Sequence, residues 1–489
     1  MSATTTPISP VTAARFSPPP TAARLRLAVA VVGAVGALSS ALGIGVLSSW
    51  DGHSSADETQ YLLTALSLAE DGDLDISDES AAERWREFRF DEPPVQTRVL
   101  DDGRQVSPHD PLLPTLVAVP MGLGGWVGAK LTLCLLAGVL AGLTVWGAVR
   151  RFEVPLRVAA LGVGVAAASA PFAVYGNQIY PELPAALAVT ASTLAATGPL
   201  RRRGLAAVVV AVTLLPWLSV KYAPVAAALF VVAAMRWWRG EKRRDVFVAG
   251  GVLAAMAAGY LLVHQLLWGG WTVYATGDHF VSTGEFSVVG VSPDYLGRSV
   301  RLVGLLVDRG FGLVAWQPAW LLLPVALGFL SVRRRHGGAG PAGARPAGTG
   351  ALLLPMVVGY LVATFVALTM HGYWWPGRQL VVVLPLALLL VLRWLGGAGD
   401  RGRLAALLLG LVGVLNYAGL LVDGFSRRLT WVFDFEGVRA PYQLLRPVLP
   451  DYRSDGFWAL HVVWIAVLAG LVMMGRRAAS RLPRREVER

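Results

Sequence analysis

The sequence predicts an all-α polytopic membrane protein with about twelve transmembrane helices. Hydrophobic residues make up 55% of the chain and charged residues only 15%, against about 25% in a soluble domain. Apolar runs long enough to cross a bilayer recur along the whole length. Basic clusters mark every second connection: Arg150-Arg151, Arg201 to Arg203, Lys242 to Arg244, Arg333 to Arg335, Arg401 with Arg403, and Arg476-Arg477.

The spans are placed near 27–49, 124–149, 156–175, 183–198, 204–219, 223–236, 246–268, 311–331, 351–370, 378–396, 403–422 and 457–475. Basic loops mark the cytoplasmic side, so both termini lie in the cytoplasm and the host membrane is the cytoplasmic membrane. The boundary between the fifth and sixth spans is the least sharply marked. Gaining or losing a span there would turn the later basic loops outward. The net charge of +11 is topological on this reading, and no nucleic-acid partner follows from it. Residues 1–24, rich in Pro, Ala and Thr, read as a disordered cytoplasmic tail, leaving 25–489 as the membrane domain. The run 27–49 is longer than the roughly 7–15-residue core of a signal peptide, so it reads as a retained span. Cys134 is the single cysteine and cannot form an intrachain disulfide.

Three outward segments are long: 50–123, 269–310 and 423–456. In the first, Tyr61, Leu62, Ala65, Leu66 and Ala69 share one helical face. This predicts an amphipathic helix lying in the interface and ended at Gly72. The run SPHDPLLPTLVAVPMGL predicts a second short surface helix leading into the span at 124. Trp50, Trp126, Trp217, Trp268, Trp271, Trp316, Trp374 and Trp375 fall at outer ends, where indoles anchor at the interface.

Few residues on that side carry chemistry. Asp57-Glu58 is an acidic pair next to a bilayer, where charge is costly and by default functional. Ser55 to Glu58 also has the S-x-x-E form of a capping box. The two readings are compatible, because a cap fixes the orientation that a general base needs. His109-Asp110-Pro111 is either a turn capping the next helix or a donor aimed at a phosphate. Glu182 in IYPELP either starts a helix or contributes an acid to a site. Lys221 and Arg378 are the basic residues of the short outer turns. They serve either as snorkelling or ion-paired side chains, with Glu182 as a partner, or as a phosphate site. Asp278 and His279, and Asp308 with Arg309, add polar groups to the second long outer loop. No metal-ligand spacing, P-loop or dinucleotide fingerprint is present, so neither a metal nor a cofactor is indicated.

These motifs, in this order and on this side, resemble glycosyltransferase superfamily C. The nearest likeness is to the protein O-mannosyltransferases and their bacterial relatives, including the lipid A aminoarabinose transferases. ADETQYLLTALSLAEDGDL is similar to that family's D-E-x-x-Y helix. SPHDPLLP is similar to its H/K-P-P-L segment, with Asp110 where the family usually has Pro. IYPELPAAL resembles its later acidic-Pro segment, and YWWPGRQLVVVLP the G-R-hydrophobic-Pro segment of several bacterial members. The likeness is clearest over about 40–225 and weakest in the C-terminal third. It implies inverting, metal-independent transfer of a sugar (hexosyl or pentosyl) from a polyprenyl-phosphate donor to a hydroxyl of a glycan, lipid or protein. On this resemblance Asp57 matches the catalytic aspartate, the general base, with Glu58 beside it. Read from the residues themselves, His109, Lys221 and Arg378 are the cations that would receive the donor phosphate; Tyr61, Asp110 and Glu182 stand in the matched motifs and are assigned to the substrate, as are Asp278 and His279, which lie outside those motifs. The alternatives are a lipid or glycan transporter or flippase and a non-catalytic envelope-assembly subunit. The near absence of charge within most spans argues against ion-coupled transport. The Gly-, Ala- and Arg-rich composition suits a high-GC bacterium with an elaborate envelope.

Overall fold

A computed structural model describes residues 20–480, apart from 95, 98, 277–293, 337–347, 368–369, 433–434, 440 and 453–457. Asp278 and His279 therefore lie outside the described residues. The described chain is helical, with isolated bridges and no strand. Its main helices are α1 (Ala22–Ala41), α2 (Asp57–Glu70), α3 (Ser77–Ala81), α4 (Leu112–Phe152), α5 (Leu156–Ala167), α6 (Phe172–Tyr175), α7 (Glu182–Ala196) and α8 (Arg202–Leu218). They continue with α9 (Ala223–Arg239), α10 (Arg243–Trp268), α11 (Leu322–His336), α12 (Thr349–Leu361), α13 (Leu384–Gly396), α14 (Asp400–Phe425) and α15 (Trp458–Ser480). A helix stands in each stretch expected to span. Among the described residues, 7 helical segments are long and apolar enough to cross a membrane, while others, including α5, α7 and α13, are shorter apolar helices. The chain is a multi-pass helical membrane protein.

α1 starts inside the segment read as tail, where Thr21 caps it by accepting from the Arg24 N–H. It ends at Ala41, well before 49, and the chain turns through Leu42 to Ser48. Close packing explains the turn. A side chain at Gly43 would collide with Asn177 and Trp431, and the Trp431 N–H donates to Leu47 C=O at 2.9 Å.

α1 packs along α4 through small residues. A Cβ on Gly138 would sit 2.7 Å from the Gly33 carbonyl oxygen, and one on Gly33 would sit 3.1 Å from that of Gly138. α11 and α15 meet the same way, Gly328 against the Val472 carbonyl and Gly475 against that of Val325. Such approaches replace the hydrophobic drive that lipid-facing helices lack. Gly138→Val is therefore expected to destabilise the protein by about 1–3 kcal/mol, read as a lower thermal midpoint in detergent.

α4 has 41 residues. An uninterrupted helix of that length would be about 60 Å long, roughly twice the hydrocarbon core. It bends at Gly124–Gly125, where Gly125 takes φ +57°, the position expected for the start of the second span. The part before the bend covers α2.

α2 differs from its expected place in the interface. Residues from Glu58 to Ser67 are all buried, polar and apolar faces alike. The polar face is enclosed with most of its groups satisfied nearby, Gln60 Oε1 being the exception among the described residues. Thr59 and Ser54 share a hydroxyl hydrogen bond at 2.9 Å, Thr64 donates to the Gln60 carbonyl, and Ser67 donates to the Asp73 and Asp75 carbonyls.

Trp268, Trp316 and Trp375 are likewise core residues rather than anchors, at 1%, 2% and 0% exposure. Trp316 stacks on Tyr442 at 4.2 Å, and Trp375 meets Trp431 edge-on at 5.7 Å. Two of the three polar edges are served: the Trp316 indole donates to Gly310 C=O and that of Trp268 to Ser107 C=O. Trp50 and Trp271 stay exposed, as interfacial indoles would be.

Candidate active site

Asp57 opens α2 directly after Ala56, whose φ of +41° is a strained conformation for a residue with a Cβ. The strain is held by Glu58. Its Oε2 accepts from the Ser55 N–H and hydroxyl, both at 3.0 Å, and its Oε1 accepts from the Ile179 N–H at 2.7 Å. The capping box is thus half-formed. Glu58 reaches back as expected, but the serine hydroxyl donates to Glu58 instead of accepting from the helix. Glu58 is fully buried, with both oxygens committed to shaping the turn that presents Asp57. The Tyr180 hydroxyl adds a bond to Ser55 C=O at 3.3 Å.

Asp57 faces a chain of alternating charge drawn from four distant segments. Its Oδ2 accepts from Arg378 Nη2 at 2.9 Å. Arg378 Nε donates to Glu182 Oε1 at 2.9 Å, and Lys221 Nζ donates to the same oxygen at 2.7 Å. Gly377, at φ +82°, turns Arg378 inward, and the guanidinium lies over the Tyr180 ring at 4.0 Å and near Trp374 at 5.4 Å. The interior members are Glu182 and Arg378, at 1% and 7% side-chain exposure; the accessible ones are Asp57 and Lys221, at 23% and 24%. A small cleft opens beside them, with Glu182, Lys221, Tyr222 and Arg378 at its polar end and Val362 and Val382 on its aliphatic wall.

His109 stacks on Tyr61 at 4.7 Å, and its Nε2 lies 3.3 Å from Gln96 Oε1. Burial lowers the His109 pKa below the usual imidazole value, although Asp57 pulls it upward. Burial raises the Asp57 pKa, but Arg378, His109 and Lys221 outweigh it and leave the carboxyl below its ordinary value. Tyr61 is 3% exposed and supports His109 from beneath.

Asp110, expected at the substrate, is 2% exposed and engaged by the protein itself. Its Oδ2 accepts from the Val220 N–H at 3.0 Å. Its Oδ1 accepts from the Tyr260 hydroxyl at 2.7 Å and lies 3.1 Å from His264 Nε2. Asp110 thereby ties His109 to the turn carrying Lys221. Sequence reasoning missed Tyr260 and His264. The available signal was the spacing of Tyr260, His264 and Trp268 four residues apart, one face of α10. Asp308 is also a structural carboxylate, accepting from the Gly310, Phe311 and Tyr452 N–H groups. Arg309 donates to Leu449 C=O. No metal-type cluster of His, Cys, Asp or Glu adjoins Asp57 among the described residues.

No family model matches the chain, and no curated protein matches it. Among solved structures it is similar to ArnT from Cupriavidus metallidurans bound to undecaprenyl phosphate. Identity is 17%, the match covers 94% of this chain and 73% of that one, and the TM-score is 0.48.

Proposed function

We propose that the chain is a membrane glycosyltransferase. It moves a sugar from a polyprenyl-phosphate donor to a hydroxyl of a glycan, lipid or protein acceptor, with inversion and without a metal, at the outer face of the cytoplasmic membrane. The observation that carries this reading is the juxtaposition of Asp57 with Arg378 and, through Glu182, with Lys221, the two cations at the polar end of a small cleft that has an aliphatic wall. A phosphate on a hydrocarbon chain has those same two ends.

In the resting chain the charges neutralise one another. The donor phosphate competes for Arg378 and Lys221, which are still held in place by Glu182. Asp57 then loses its guanidinium partner, and its affinity for a proton rises. The acceptor hydroxyl gives its proton to Asp57 as its oxygen bonds to the anomeric carbon. The bond from that carbon to the phosphate oxygen breaks, and polyprenyl phosphate leaves with its new charge on Arg378 and Lys221. Preorganised cations in a site of low dielectric stabilise such developing charge without reorganisation. Glu58 and Asp110 act on this reading as positioning residues, for Asp57 and for Lys221 respectively.

The test is transfer by purified protein in proteoliposomes from polyprenyl-phosphate sugars. Mass spectrometry of envelope glycans in a deletion strain would identify sugar and acceptor. Movement of lipid across vesicles with no sugar transfer would replace this reading with a flippase. Lys221→Ala is expected to raise the donor KM by about 10- to 100-fold, the worth of one hydrogen bond to a charged group, with a smaller change in kcat. An unchanged donor KM would remove Lys221 from the phosphate site.

A further inference from the structure

The first outer loop is acidic, but its carboxylates are not equivalent. Asp73 Oδ1 accepts from the Ser67 hydroxyl and the Asp75 N–H. Asp75 Oδ1 accepts from the Ser77 and Gln105 N–H groups. These two acids shape the turn. Asp71, Asp78 and Glu79 instead converge, with ligand atoms all within 4.8 Å of one another. Asp71 closes α2, and Asp78 and Glu79 lie in the first turn of α3.

Glu79 is the informative member. It is 3% exposed, yet neither carboxylate oxygen has a hydrogen-bond donor among the described residues. A buried carboxylate without a donor is costly, and two neighbouring acids add repulsion. Arg84 does not relieve this by direct contact, because its guanidinium is bound to Glu70 and Glu87 at 2.6 Å each. Asp71 and Asp78 are exposed, which leaves a side open for water.

We propose that Asp71, Asp78 and Glu79 bind a calcium ion that fastens the end of α2 to α3. The donors are all oxygen, which selects a hard cation. Calcium accepts irregular shells of 6–8 oxygens, and solvent and carbonyls fill what three carboxylates leave open. Magnesium demands a near-ideal octahedron. The site lies at the opposite end of α2 from Asp57, about 20 Å along the helix axis, so it acts by fixing that helix and not in the chemistry.

The test uses the full chain in detergent, stripped with a chelator and titrated with CaCl2 by calorimetry and by displacement of terbium luminescence. One saturable site is expected, with a Kd of about 0.1–1 mM, together with a calcium-dependent rise in the thermal unfolding midpoint. Glu79→Gln should weaken binding at least about tenfold, the scale of a lost ligand. Asp71→Asn should do likewise and alters only an exposed side chain, so it decides the matter if the buried substitution misfolds. Absence of saturable binding up to about 10 mM, beyond the extracellular range, would show that Glu79 and Asp78 share a proton instead. Binding unchanged in Asp71→Asn, or matched by MgCl2, would likewise overturn the calcium site.

Discussion

Asp57→Asn is expected to lower sugar transfer by about a thousandfold, within the range for removal of a general base, with membrane insertion intact and a thermal midpoint lowered only by the loss of the Arg378 ion pair. Asparagine keeps the shape and one oxygen acceptor for Arg378 but cannot take a proton. The pH dependence supplies a second readout. In the resting protein burial raises the Asp57 pKa, while Arg378, His109 and Lys221 lower it further, so the net shift is downward. Its ion pair therefore stabilises the fold above the unfolded-state pKa, and that contribution is lost as pH falls through the lower folded-state value. Once donor phosphate draws Arg378 away, the carboxyl should titrate higher. The acid limb of kcat should then lie at higher pH than that of kcat/KM for the donor, which reports the enzyme before Arg378 is drawn away. Full transfer by Asp57→Asn, or coincident acid limbs, would remove the proposed base or its release by donor.

Arg378→Ala should be the most damaging single substitution on two counts. The guanidinium is 7% exposed and bridges Asp57 and Glu182. Breaking a buried pair by deleting one partner costs about 3–5 kcal/mol. Lys221 would remain on Glu182, but Asp57 and the Tyr180 face would lose their cation. Transfer should fall below detection and the thermal midpoint should drop. Arg378→Lys separates charge from geometry, since an ammonium cannot reproduce the planar fork that reaches two carboxylates. It should recover part of the stability and little of the activity. An Arg378→Ala protein with unchanged midpoint and donor KM would refute both roles.

Asp57, Glu182, Lys221 and Arg378 were legible in the sequence for a simple reason. Glu182, Lys221 and Arg378 are charges in or next to short turns between apolar runs, and Asp57 follows the first span by a few residues, all places where charge is expensive. What could not be read was how the groups divide their work. Glu58 stands next to Asp57 in the chain, yet its oxygens serve Ser55 and Ile179. Asp110 neighbours His109 but turns to Tyr260 and His264, which lie 150 and 154 residues away. Aromatic and histidine side chains on an apolar helix look like core filler until such a partner is known. The same holds for Trp316 and Trp375. Their position at span ends suggested the interface, but Tyr442 and Trp431 cover them. The helical boundaries were clearer, because hydropathy is local. The burial of α2 was not, because it depends on local hydroxyl bonds that satisfy its polar face.

The four charged residues of the site come from positions 57, 182, 221 and 378. A chain leaving the ribosome therefore carries the first three long before the fourth is made. Until residue 378 emerges, Glu182 has only Lys221 to neutralise it, and Asp57 lacks the guanidinium that pairs with it. The charge cluster must stay open to water while the translocon releases the earlier helices, and it can dehydrate only when the Arg378 turn arrives. Truncations ending before that turn should accordingly yield a loosely assembled product, prone to quality-control proteolysis, even though every upstream helix is present.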